Sequence, residues 1–153
     1  MSPSKMKAGP VYKVGDEIAG PIRTITPQRI EWYDSAMLSA ATNELRQVGS
    51  NIHTDPDFAR SEGFDQVNAD GMIMTNWCSE LMVKAFGIHY LERGELMNKY
   101  IKPVHLGTSL HVKGKVLSVT PQGDGVAYAL DVWCEDKAGT KLVAGEAKVV
   151  VAK

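Results

Sequence analysis

The stretch "DGMIMTNWCSELMVKAFG", residues 70–87, puts Met72, Ile73, Met74, Trp77, Cys78, Leu81, Met82, Ala85 and Phe86 around most of a helix. A helix that is apolar nearly all round has no face to give to water and has to be surrounded by the rest of the chain. Asp70 is placed to cap it and Gly87 to end it. From Gly94 onward the period changes to that of strands: "GELMNKYIKPVHLG", "TSLHVKGKVLSVT", "GVAYALDVWCED" and "TKLVAGEAKVVVAK" are β-rich runs divided by turn clusters. In the third run Val126, Tyr128, Leu130 and Val132 alternate with smaller or polar residues, as a sheet with one buried face requires. With an early strand within residues 12–24, this predicts an α+β chain in which an antiparallel meander wraps one long central helix. One helix cannot cover both ends of such a sheet, so an edge is left over, and a homodimer is the simplest way to cover it.

The 153 residues, 44% hydrophobic, suffice for one domain with a real core, read here as residues 11–153 behind a flexible tail of residues 1–10. A net charge of −1 without a basic stripe or polybasic tract argues against nucleic acid and membrane as partners. "MSPSKMKAGP" lacks the apolar run of a signal peptide and no window reaches transmembrane length, so a cytoplasmic location is expected. Cys78 and Cys134 fall inside regular elements without CxxC spacing and read as reduced core residues.

Two further helices announce themselves. Thr26 as cap, Pro27 at the first position and Ile30, Tyr33, Met37 and Leu38 at helical spacing predict a helix to about Ala41. "ATNELRQVGSNIH" then loses periodicity and reads as a loop ending in His53. Asp55, Pro56 and Gly63 frame a helix of about two turns immediately after it. His53 therefore stands in a polar loop just ahead of a helix.

That histidine carries a resemblance. "NIHTDPDFARSEGF" resembles the core motif NPxHxDxxxAxxxGF of the MaoC-like dehydratases, which include the R-specific enoyl-CoA hydratases and have the hotdog fold. "YKVGDEIAGPIRTITPQRIEWY" resembles that family's opening and "GEAKVVV" its closing strand, while "ADGMIM" stands where the family writes HGM. The eighteen residues from His53 to Gly71 are the interval expected there. The resemblance implies that His53 moves a proton, that the Gly71 N–H holds a thioester oxygen as charge develops on it, and that Ser79 belongs to the site. Imidazole chemistry and helix N-terminal amides suit such roles.

The chain departs from the pattern at two places: Asp70 stands before Gly71 where the family often has His, and the Asp expected ahead of His53 is missing. Five residues before His53, where the family has the Asp that works with the His on a water molecule, stands Val48. A carboxylate from elsewhere would have to serve, and Asp70, Asp34 and Glu44 are the candidates. Each residue also has a purely structural reading: His53 as a loop tie, Asp70 as a helix cap, Ser79 as a hydroxyl satisfied by the backbone. Asp55 is assigned to capping. Met72, Met74 and Met82 fit core filling or the wall of an acyl tunnel. His89, His105 and His111 make no ligand spacing, so no metal is expected.

The function expected is hydration and dehydration of an enoyl or 3-hydroxyacyl thioester, with coenzyme A entering only as part of the substrate and no separate cofactor. Two alternatives stay open at this point: a hotdog thioesterase using Asp70 or Glu80, and a non-catalytic acyl-thioester-binding subunit.

Overall fold

The computed structural model describes residues 11–43 and 49–152, without the side chains of Leu38 and Ala41. The tail, Glu44 and Val48 lie outside the described residues. Helix α1 spans Pro27–Thr42, with the Thr26 hydroxyl accepting from the Arg29 N–H and Pro27 in the first turn. It ends at Asn43, in the left-handed region at φ 55°. Helix α2, Pro56–Ser61, begins with the Asp55 carboxylate accepting from the N–H groups of Asp57 and Phe58. Both are started by the cap residues expected from the sequence.

Helix α3, Gly71–Phe86, is the central one. Ile73, Met74, Trp77, Cys78, Leu81, Met82 and Phe86 are buried along it, and it touches all five strands. Gly87, at φ 59°, ends α3 and also starts a short helix α4, Ile88–Arg93, which has no side-chain cap. The sequence reading left α4 unassigned, because a six-residue helix behind a glycine has neither the cap nor the length that makes periodicity visible.

The strands are β1 (Glu17–Thr24), β2 (Gly94–Tyr100), β3 (Ser109–Gln122), β4 (Gly125–Glu135) and β5 (Lys141–Ala152). They form one antiparallel sheet in the order β1-β3-β4-β5-β2. The meander expected from Gly94 onward thus holds only for β3 to β5. Strand β2 pairs with β5 at one edge, and residues 101–108 carry the chain across to β3, next to the other edge. The crossing is tied down halfway by the Ala69 N–H, which donates to the Val104 carbonyl at 2.8 Å. A strand-like run containing Pro103 was bound to break, since proline gives no N–H to a ladder.

Alternate residues of β3 and β4, among them Leu110, Val112, Val116, Leu130 and Val132, are buried against α3. Phe86 packs against the rings of Tyr12 and Tyr128, with centroids 5.2 and 5.3 Å away, and those two rings meet edge to face at 6.3 Å. Cys78 and Cys134 are both buried free thiols whose sulfurs stand 3.8 Å apart, joining α3 to β4 without a disulfide. No helix among the described residues is long and apolar enough to cross a membrane.

Candidate active site

The amino end of α3 opens onto a cavity of roughly 430 Å³, and the reason lies in how that end is built. Asp70 caps the helix, its Oδ1 accepting from the Met72 N–H at 2.8 Å. The Gly71 N–H belongs to the first turn, where amides have no carbonyl partner within the helix, and the helix dipole adds partial positive charge there. Gly71 leaves room that a side chain would take from Tyr100: a Cβ would stand 2.7 Å from ring carbons of Tyr100, which lies over it from the end of β2. The Tyr100 hydroxyl is tied to Thr75 Oγ1 at 2.8 Å and to Met72 Sδ at 3.6 Å.

This ring is half exposed and held mainly by one hydroxyl bond, so it can swing away. Gly71→Ala should therefore cost only about 1 kcal/mol, the net worth of the Tyr100–Thr75 bond. Thermal melting checks it: Tyr100→Phe should destabilise the wild type but add little in the Gly71→Ala background.

His53 reaches the same cavity from the loop before α2. Its backbone N–H donates to Asn51 Oδ1 at 2.7 Å, and that oxygen also accepts from the Thr54 N–H at 3.0 Å. Its Nδ1 lies 2.7 Å from the Asn68 carbonyl oxygen. A carbonyl only accepts, so Nδ1 carries the hydrogen and Nε2 is the nitrogen left to exchange protons. Nε2 stands 4.0 Å from Asp70 Oδ2.

A second carboxylate closes in from α1. Asp34 lies within electrostatic reach of His53 and Asp70. Burial pushes the Asp34 carboxyl above its ordinary value; the His53 charge pulls it back, the Asp70 charge raises it again, and the Asn51 side chain lowers it. Asp34 Oδ2 is buried without a hydrogen-bond partner. Tyr33, next to it on α1, is raised first by burial and then by Asp70, while a bond from Asn76 of α3 works the other way.

The remaining cavity wall is largely apolar. Ile52, Phe64, Met74, Val104 and Val143 line it, with Lys102 its one lysine or arginine among the described residues. Met72 and Met74 are part of this wall, whereas Met82 is fully buried core. The structure thus brings His53, Asp70 and Gly71 together at one cavity, with Asp34 of α1 in electrostatic reach of the first two. Ser79, partly buried two turns along α3, is not among the lining residues. Glu80 is not either: it is paired with Lys84 at 2.5 Å and Arg23 at 2.7 Å, and these bonds, Lys84 first, hold its carboxyl below the usual value. No group of three His, Cys, Asp or Glu that could hold a metal occurs among the described residues. Sequence reasoning missed Asn51, Tyr33 and Tyr100. Only Asn51 left a trace, as an Asn two residues before the histidine at a turn, where such side chains take local N–H groups.

No family model matches the sequence, and no curated protein resembles it in sequence. Solved structures do resemble it. The MaoC-like dehydratase from Rhodospirillum rubrum superposes with a TM-score of 0.69 at 21% identity, covering 93% of this chain and 94% of that one. The (R)-hydratase from A. caviae involved in PHA biosynthesis gives 0.67 at 19% identity, over 92% and 97% of the two chains. The ChsH1-ChsH2 complex from Mycobacterium tuberculosis gives 0.66 at 13% identity, over 92% and 99%. An antiparallel sheet wrapped around one buried helix, matched over nearly the whole chain, is the hotdog fold in the form shared by MaoC-like dehydratases and R-hydratases.

Proposed function

We propose that this protein reversibly hydrates a 2-enoyl thioester, most simply of coenzyme A. One observation carries the reading: His53 and the first-turn amide of α3 at Gly71 border a single, mostly apolar cavity. In hydration His53 Nε2 takes a proton from water as the water oxygen bonds to C3, and the imidazolium returns a proton to C2. The thioester oxygen, where negative charge gathers in between, is held by the Gly71 N–H. Asp34 takes the part left open at Val48. Its negative charge beside the ring stabilises the imidazolium without touching the substrate. Asp70 is the cap of α3, and a carboxylate aimed at the oxyanion would oppose the charge that builds up there. The fold neighbours named as dehydratase and hydratase support the same reaction class.

A panel of enoyl-CoA and acyl-CoA esters, with double-bond absorbance and free thiol followed together, tests this. Loss of absorbance without thiol is the expected result. Thiol release would make the protein a thioesterase, and no change in either would make it a binding subunit.

The site also bears on assembly. Strand β2 is an edge strand, and Met72, Met97, Tyr100 and Ile101 are exposed along it and the adjoining start of α3. Three of these four also line the cavity mouth. A second copy joined along this edge would cover apolar surface and narrow the cavity together. Light scattering at micromolar concentration should give twice the mass of the 16.7 kDa chain; replacing Met97 with Lys should give the single mass.

A further inference from the structure

We infer that two copies of this chain join β2 to β2, antiparallel, about a two-fold axis at Met97, so that Glu95 of each copy pairs with Lys99 of the other. This deepens the assembly along β2 and rests on it, but not on the reaction.

The edge itself calls for a strand. β2 is paired with β5 along its whole length, Gly94 to Tyr100, and the sheet order leaves its other side without a strand among the described residues. Such a row of N–H and C=O groups is a template for another strand. Exposed apolar side chains stand at both ends: Ile88 and Leu91 on α4 just before it, Tyr100 and Ile101 at its close. Two-fold pairing of identical strands lays the start of one against the end of the other, so each copy's α4 covers its partner's Tyr100 and Ile101.

The register follows from the side chains. Glu95, Met97 and Lys99 are exposed on the face away from α3, whereas Leu96 and Asn98 are partly buried and Asn98 Nδ2 donates to Thr75 Oγ1 of α3 at 3.1 Å. Directly opposite residues of an antiparallel pair share a face, so the axis has to pass through a residue and not between two. An axis at Leu96 sets Lys99 against Arg93, a like charge, and Glu95 against Met97. An axis at Asn98 sets Lys99 against Met97 and Glu95 against Ile101. An axis at Met97 sets Glu95 against Lys99 twice, with the two Met97 side chains in contact between the pairs. Opposite charges across strands stabilise and like charges destabilise, which selects Met97. On the β5 side Glu95 faces Lys148 but Lys99 faces only Ala144, so the free edge is where Lys99 finds a carboxylate directly opposite.

The same register reaches the cavity. It sets Tyr100, whose ring lies over Gly71, against the partner's Gly94. A Cβ at Gly94 would run into Tyr90 of its own chain, so that position presents backbone alone. The second copy thereby supplies part of the rim beside Tyr100 without a side chain to close the entry.

A cysteine at the axis reads the register. The chain's own Cys78 and Cys134 are fully buried, which leaves Met97→Cys as the one reactive thiol. Opposite Cα atoms of antiparallel strands lie about 4.5–5.5 Å apart, within the span of a disulfide. With oxidised glutathione, Met97→Cys should run at twice the chain mass on a non-reducing gel and return to the single mass with dithiothreitol. Glu95→Cys, four residues from its own copy across the axis, should stay single. By sedimentation at low salt, Glu95→Lys and Lys99→Glu should each weaken the dimer about 10-fold, and the double reversal should recover most of that loss. A wild type of twice the mass whose Met97→Cys variant stays single, or whose double reversal recovers nothing, overturns the register and leaves the assembly standing. A wild type of single mass overturns both, and the enoyl-CoA assay is decided separately.

Discussion

Replacing His53 with alanine should lower the rate of enoyl-thioester hydration by about two to four orders of magnitude, the usual worth of a general acid–base group. The reaction asks the same nitrogen to remove one proton and supply another, and no other imidazole borders the cavity. Asp34→Asn should cost about two orders of magnitude, since it removes the charge that stabilises the imidazolium, and the double variant should be no worse than His53→Ala alone. Asp70→Asn, which still offers an oxygen to the Met72 N–H, should leave the rate within a few-fold and the fold intact. Steady-state rates of the four proteins decide between assignments. Equal losses in the Asp70 and Asp34 variants would transfer the charge partner's role to Asp70, and an active His53→Ala would end the dehydratase reading.

The second large effect concerns the fold that holds the site. Phe86 closes the last turn of α3, is 2% exposed, and meets the rings of Tyr12 and Tyr128. Phe86→Ala removes one ring of a three-ring cluster whose other two members, Tyr12 and Tyr128, already meet edge to face at 6.3 Å on separate segments, and so leaves a cavity against both. About 3–5 kcal/mol of stability should be lost, as for other buried aromatics cut to alanine. Chemical denaturation should show the midpoint falling with an unchanged slope. A loss below about 1 kcal/mol would mean that the surrounding rings collapse onto the space.

What could be read from the sequence, and what could not, divides along a physical line. The three longer-signalled helices were legible because each begins with its own cap, Thr26, Asp55 or Asp70, and such signals lie within four residues. Strands β3 to β5 were legible by alternation. The place of β2 was not: alternation says which face of a strand is buried but nothing about its neighbour, and β2 finds β5 rather than β3. At the site, His53 and Gly71 were legible through a spacing that matches a known motif. Asp34 was one of three open choices, because nothing local says that α1 passes the His53 loop. Tyr100, twenty-nine residues beyond Gly71 in the chain, left no signal at all, since its contact is made only by the turn of the sheet around the helix.

The bond from His53 Nδ1 to the Asn68 carbonyl has an implication for how such a site tolerates change. The acceptor is main chain, so any residue other than proline that fits the buried position 68 presents the same oxygen as long as the short bridge to His105 and the bond to Ile52 keep the backbone in place. The tautomer of the one group asked to carry protons is thus inherited from topology and not from the identity of residue 68. An insertion or deletion between residues 53 and 68 would do what no substitution at 68 can: deprive the imidazole of its anchor and leave the protonated nitrogen undetermined.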